Sequence, residues 1–212
     1  MAVPDTSIDP RILDSAKKAF LQYGYGGAQL KDICREAGVT TGALYKRYQG
    51  KEALFAALVK DAADEISAVA AARESCDPRL LSDRELLMVW GMEEGSENSW
   101  SMQEWFDFLY ARKDEFTLLL TCAEGTRYRD FMGQWVDRMT EGTYLFLQEA
   151  VGRGMVDRPV SKEELRVLLS AFWTMVYEPF LHNFTKEALD AHCGIFCRMF
   201  SWQKILGLHM PG

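Results

Sequence analysis

The sequence predicts an all-α fold. Six prolines in 212 residues leave long uninterrupted runs. No segment sustains the period-two alternation of a half-buried strand. Helix starts also recur in one form: Ser82 with Glu85, Ser101 with Glu104 and Ser161 with Glu164 have the S-x-x-E spacing. In that spacing, two side chains satisfy each other's free backbone N–H groups. With 48% hydrophobic residues the chain can bury a sizeable core, in one or two domains.

The elements follow in order. A first helix covers 9–23, with Asp9 as its cap and Pro10 at the first helical position, where a missing N–H costs nothing. Ile12, Ala16, Phe20 and Tyr23 share one face of it, and Gly24, Gly26 and Gly27 end it. A second helix spans 30–37 and a third runs from 41 to about 48. A fourth begins at Gly50-Lys51-Glu52, buries Leu54, Phe55, Leu58, Val59, Ala62 and Ile66, and runs into the alanine-rich stretch 68–72. Cys76-Asp77-Pro78 breaks the chain. Beyond it come an acidic loop over 91–99, one long helix over 127–151, and two closing helices at about 161–183 and 185–207, the last capped by Thr185. Gly125 and Gly152-Arg153-Gly154 mark further ends.

Charge divides the chain. The net charge is -7 overall, but residues 1–60 hold nine Lys or Arg against six Asp or Glu, and residues 61–212 hold 15 against 25. A basic reader on an acidic body fits that split, and so does an ordinary acidic protein with an uneven surface. The five cysteines (Cys34, Cys76, Cys122, Cys193 and Cys197) are scattered and odd in number, Met1 to Pro10 has no apolar leader, and the longest uncharged apolar run, 167–177, is too short to span a bilayer. The expectation is a reduced, cytoplasmic chain with no membrane partner.

Residues 30–48 have the physical parts of a helix-turn-helix. Leu30, Ile33, Cys34 and Ala37 make the inner face of the second helix, and the small Ala37 allows close approach of the third. Gly38 can take the left-handed conformation of a tight turn, Val39 plugs it, Thr40 caps the third helix and Leu44 anchors it. Thr40, Thr41, Gly42, Ala43, Tyr45, Lys46 and Arg47 are left near or on the outer side. A helix start with small hydroxyl residues can approach a major groove, and Tyr45, Lys46, Arg47 and Lys51 can contact phosphates. Any helical hairpin also has an alanine, a glycine turn and inward leucines.

The stretch 24–54 nevertheless resembles one family closely. Gly24, Tyr25, Leu30, Asp32, Ile33, Ala37, Gly38, Val39, Gly42, Leu44, Tyr45, Tyr48, Lys51, Glu52 and Leu54 fall in register with the DNA-binding domain of TetR-family bacterial transcriptional regulators. The helical layout extends the resemblance to about 9–60. It implies a three-helix helix-turn-helix DNA-binding domain over 1–53 and a larger helical ligand-binding and dimerisation domain over 54–212. It further implies a homodimer on a palindromic double-stranded operator, most often a repressor released by a small-molecule effector. By position, Thr40, Thr41, Gly42, Tyr45 and Lys46 would face DNA and Lys51 would hold a phosphate. Two departures stand out: Ala28 and Gln29 occupy places where Thr or Ser is frequent, and Gly50 stands where Ser, Asn or Asp often caps the fourth helix.

The segment 80–150 is rich in Trp, Met and Phe, including Met92 and Trp100. Trp90, Trp105, Phe108, Tyr128, Trp135 and Trp173 are the candidates to line a pocket for an apolar or aromatic effector. The same residues at helical spacing also make a plain core. Glu178, beside the kinking Pro179, could meet a cationic ligand or a core partner. The two closing helices are apolar over more than one face, which suits a monomer core on one side and a second copy on the other, or a larger single core.

Other chemistry finds little support. His192, Cys193 and Cys197 lie on one helix, but no second cluster completes a tetrahedral metal site. G-x-S-x-G, H-E-x-x-H and P-loop motifs are missing, and pairs such as Glu93-Glu94 suit a solvated loop. No catalytic residue, metal or cofactor is expected. The alternative reading is a helical small-molecule-binding protein or enzyme without a DNA role.

Overall fold

The structure, a computed structural model, describes residues 8–91 and 101–211. Met92, Trp100, the Glu93-Glu94 pair and nearly all of the acidic stretch 91–99 lie outside them. The described residues are helical, apart from turns and one isolated antiparallel bridge between Val156 and Leu208. They form two compact units. One comprises 1–66 with 112–131, the other 67–111 with 132–212.

The first unit holds α1 (Ile8–Gly27), α2 (Leu30–Ala37), α3 (Thr41–Tyr45) and the start of α4 (Lys51–Ser75). Helix α1 begins one residue before the expected cap, so Asp9 sits in its first turn, and its carboxylate pairs with Arg47 Nε at 2.7 Å. The regular helix breaks at Gly24, whose φ of 68° and ψ of 171° only glycine adopts readily. Ile12, Ala16 and Phe20 of α1 meet Ile33, Cys34, Ala37, Leu44, Leu54 and Phe55 in one buried cluster. A distant segment completes it. Helix α7 (Lys113–Thr117) and the π-helical turn Leu118–Cys122 lie against α1, and Leu118, Leu119, Cys122 and Ala123 are buried in the same cluster.

The second unit holds the end of α4, a 3-10 turn at Pro78–Leu80, α5 (Asp83–Met88), α6 (Met102–Ala111), α8 (Phe131–Gly152) past its first residue, α9 (Lys162–Leu181), α10 (Lys186–Met199) and α11 (Trp202–Leu206). Ser82 and Glu85 form the reciprocal capping box, and so do Ser101 and Glu104. Ser161 and Thr185 accept from the backbone N–H three residues on. The third helix ends at Tyr45, short of the expected 48, and two later spans also differ from their sequence-based bounds. Residues 126–130 form turns after Gly125 (φ 86°), so α8 starts only at Phe131. The last helix is broken at Phe200, which adopts extended backbone, and Ser201 caps the short α11. Gly207 then turns the chain in the left-handed region so that Asp157 N–H and Arg158 N–H donate to the carbonyls of Gly207 and Leu206. A Cβ at Gly207 would lie 2.6 Å from Asp157 Cβ, so no other residue fits there.

Pro179 lies inside α9 and removes the donor that would pair with the Met175 carbonyl four residues earlier. That carbonyl instead accepts from His192 Nε2 of α10 at 2.9 Å. The histidine therefore repairs a proline defect. Glu178 is not enclosed: it is half-exposed and pairs with His182 one turn on, at 3.1 Å.

Candidate nucleic-acid interface and aromatic core

The α2–α3 turn is built as its residues dictate. Gly38 takes φ 65°, ψ 37°, and its N–H and that of Val39 close on the carbonyls of Arg35 and Cys34. Thr40 is extended, and its Oγ1 accepts from Ala43 N–H at 3.2 Å, capping α3. Leu44 is fully buried and fixes the rotation of α3. That rotation leaves Thr40, Thr41, Gly42, Tyr45 and Lys46 exposed on one side. Tyr45 stands out, with 55% of its surface open. A Cβ at Gly42 would meet only Thr40 Oγ1, at 4.0 Å, and its φ lies outside the left-handed region. Nothing inside the chain requires glycine there, and the result is a flat, open approach to α3.

The cations divide into free and committed. Lys46 is exposed, with no ionic partner among the described residues. Arg47 is half-buried, bound to Asp9 and within 3.5 Å of the Ala43 carbonyl. The Lys51 ammonium donates to the carbonyls of Ala28 at 2.8 Å and Gly26 at 3.3 Å, and lies 4.6 Å from the centre of the Tyr25 ring. Burial pushes its pKa below the ordinary lysine value. Lys51 thus closes the loop between α1 and α2, the loop that Ala28 anchors by being buried and that Gln29 leaves without a side-chain cap. Tyr25 completes this corner, edge-on to Phe55 at 5.7 Å. Sequence reasoning passed over two further cations. Lys31 is exposed on α2, and the Arg11 guanidinium lies 3.7 Å from where a Gly38 Cβ would stand, over the turn itself. Their only sequence signal was the local positive balance.

The aromatic candidates separate. Trp105, Trp135 and Trp173 form a mutually edge-on triad in the second unit, with ring centres 5.0 to 6.2 Å apart. Phe108 stands edge-on to Trp105 at 5.8 Å. Trp90 joins through further rings: it meets Trp202 at 5.7 Å, Trp202 meets Phe172 at 5.8 Å, and Phe172 meets Trp173 at 5.2 Å. Tyr128 lies apart, in the first unit, against Phe55 at 6.4 Å and with Arg127 donating to its hydroxyl at 2.7 Å. The indole N–H groups of Trp90 and Trp173 are buried without a hydrogen-bond partner. Burial, with the charge of Cys197 beside it, pushes the Cys193 thiol up to about 11, so it stays protonated at neutral pH.

Comparison with known proteins returns the same region. Residues 12–58 match the family described as bacterial regulatory proteins, tetR family. The HTH-type transcriptional repressor Rv1474c of Mycobacterium tuberculosis is 35% identical over 60 residues, covering 28% of this chain and 32% of that protein. The HTH-type transcriptional repressor AcnR of Corynebacterium glutamicum is 27% identical over 186 residues, covering 87% of this chain and 79% of its own. The chain thus spans about a third of the first relative's length and about four fifths of the second's. Among solved structures, PfmR of Thermus thermophilus, a TetR-family regulator, shares the fold with a TM-score of 0.58 at 18% identity over 100% of both chains.

Proposed function

We propose that this chain, whose residues 12–58 match the tetR family of bacterial regulatory proteins, is a regulator of that family and acts in the cytoplasm as a homodimeric repressor. It binds a palindromic operator through α3 and releases it when a small effector enters the second unit. The observation that carries this reading is the open side of α3: a 55%-exposed tyrosine and a free lysine flank a glycine that the fold does not need, on the one positively charged stretch of an acidic protein. Such a surface suits a backbone-lined groove, with Tyr45 and Lys46 on phosphates and Thr40, Thr41 and Gly42 close to base edges. Arg47 and Lys51 take a second role there, holding the reading surface in shape while presenting what donors remain. In functional terms 1–53 reads DNA, and 54–212 senses and dimerises.

Dimerisation rests on a second feature. Helices α9 and α10 bury one face each in their own unit, yet Val167 (60%), Ile195 (45%) and Met199 (66%) stay exposed on the other. Ala191 and Gly194 extend that strip on α10 with side chains too small to hold a partner off. Two copies pairing these helices make a four-helix interface.

The test is binding of the purified protein to duplex from the region flanking its own gene, measured by fluorescence anisotropy against scrambled duplex at moderate salt. We expect a clear preference for the flanking palindrome. Equal affinity for both duplexes would sink the regulator reading.

A further inference from the structure

The regulator reading leaves His192, Cys193 and Cys197 of α10 without a role in recognition. His192 is committed, since its Nε2 meets the Met175 carbonyl. The two cysteines are free thiols one turn apart, Cys193 buried and Cys197 exposed. Residues at i and i+4 of a helix share a face, with Cβ atoms roughly 5–6 Å apart. The thiols meet on that face, Cys193 in hydrogen-bond contact with Cys197. It is the side of α10 turned to α6: Asp190, two helical turns before Cys197, accepts from Gln103 of α6 at 2.7 Å. Ile195 and Met199 lie two residues to either side of Cys197, and so across the helix from it.

Spacing decides what such a pair can do. A disulfide needs Cβ atoms about 3.5–4.5 Å apart, closer than an intact helix holds them. One ion between two sulfurs asks for less, because two metal–sulfur bonds of about 2.3 Å reach roughly 4.6 Å. No group of three or more His, Cys, Asp or Glu suited to a metal occurs among the described residues. Tetrahedral zinc and the six-coordinate divalent ions are therefore short of ligands here. Soft ions that favour thiolate, and that accept two ligands in a line, are not. Burial, then the Cys197 sulfur and the carboxylates of Asp190 and Asp107, raises the Cys193 thiol to about 11. A bare thiolate is disfavoured there, and the same carboxylates favour a cation that takes the proton's place.

We propose that Cys193 and Cys197 form a two-thiolate site for a soft monovalent cation of the copper(I) and silver(I) kind. Both thiols release their protons to water and two sulfur–metal bonds form, with no change of oxidation state. The exposed Cys197 sulfur meets the ion first, and Cys193 completes the bridge from inside. The site stands whether or not the second unit takes an apolar effector.

The test uses the full-length reduced protein under nitrogen. Copper(I) is supplied as its bicinchoninate complex, and transfer is read by loss of that complex's colour and by native mass spectrometry. We expect one copper per chain with two protons lost. Cys197→Ser and Cys193→Ala should each weaken binding at least a hundredfold, while Cys76→Ser, at another thiol that is not fully buried, should change it less than threefold. Zinc(II) should bind parent and Cys197→Ser alike. No copper uptake overturns the site, and so does uptake that survives Cys197→Ser or is lost in Cys76→Ser. Zinc binding that depends on Cys197 overturns the choice of a two-coordinate ion. Closure of a Cys193–Cys197 disulfide by diamide, with helical circular dichroism unchanged, overturns the spacing argument. Cys197 is exposed, so its variant decides the matter even if Cys193→Ala does not fold.

Discussion

In the proposed DNA-reading surface, Gly42 separates folding from recognition in a single residue. It is helical and unobstructed, so Gly42→Ala should stabilise the first unit by a few tenths to about 1 kcal/mol, as alanine does in helices. The added methyl protrudes from the α3 face, so operator affinity should fall while thermal stability rises; a fall in both would place Gly42 in the fold. Tyr45→Ala should likewise weaken operator binding without changing dimer mass in sedimentation. Lys51 behaves differently because its ammonium joins two carbonyls and a ring. Lys51→Met should cost about 1 kcal/mol of stability in addition to any lost phosphate contact. Urea unfolding without DNA measures that part alone. The spacing of Lys51 in the motif was legible, but its partners were not: the carbonyls of Gly26 and Ala28 come from a loop more than twenty positions earlier.

At the scale of elements, caps and turns were readable because their partners are three residues away. Thr40, Ser82, Ser101, Ser161 and Thr185 all cap their helices, and of the three expected reciprocal boxes those at Ser82 and Ser101 form while Ser161 makes only its own half. The break of the last helix at Phe200 was not readable, since no proline or glycine marks it. There Phe200 packs on Phe172, Phe196 and Trp202 at 5.0 to 5.9 Å, and this ring packing accompanies extended backbone. The pairing of His192 with Pro179 was hidden for the same reason, since each residue alone has a local meaning and only their contact explains both. His192→Leu should therefore cost about 1–3 kcal/mol by leaving the Met175 carbonyl unpaired. The cost should shrink in a Pro179→Ala background, where residue 179 regains its own N–H, and a double-mutant cycle by urea unfolding reads the difference. Beside the packing of Phe106 on His192 and Phe196, an ion-pair cluster ties α6 to α10. Lys186 and Gln103 hold Asp107 and Asp190 below the ordinary carboxylate range, and those two raise Lys186 to about 12. A lowered carboxylate stabilises above its unfolded value and loses that contribution as pH falls through its folded value. The destabilisation caused by Lys186→Met at pH 7 should thus vanish by about pH 2.

For the whole molecule, charge and oligomeric state set how DNA is held. The positive balance of the first 60 residues is small, and the proposed dimer would double it at the DNA. Each phosphate contact adds about 0.9 to the log–log salt slope, so Lys46→Ala should lower a dimer's slope by about 2. Ile195→Glu with Met199→Glu should give monomers by sedimentation equilibrium and weaken the operator complex, with the helical circular dichroism unchanged.

The sequence by itself determined the helical class, the turn at Gly38, the capped start of α3 and the resemblance of its first 60 residues to TetR-family readers, because each depends on residues within a turn or two of one another. Tertiary structure decided the rest. It brought 112–131 into the core of the first unit, committed Arg47 to Asp9 and Lys51 to a loop, and set Tyr128 apart from the tryptophan triad. Those outcomes depend on which side chains meet across long separations, and spacing along the chain carries no record of such meetings.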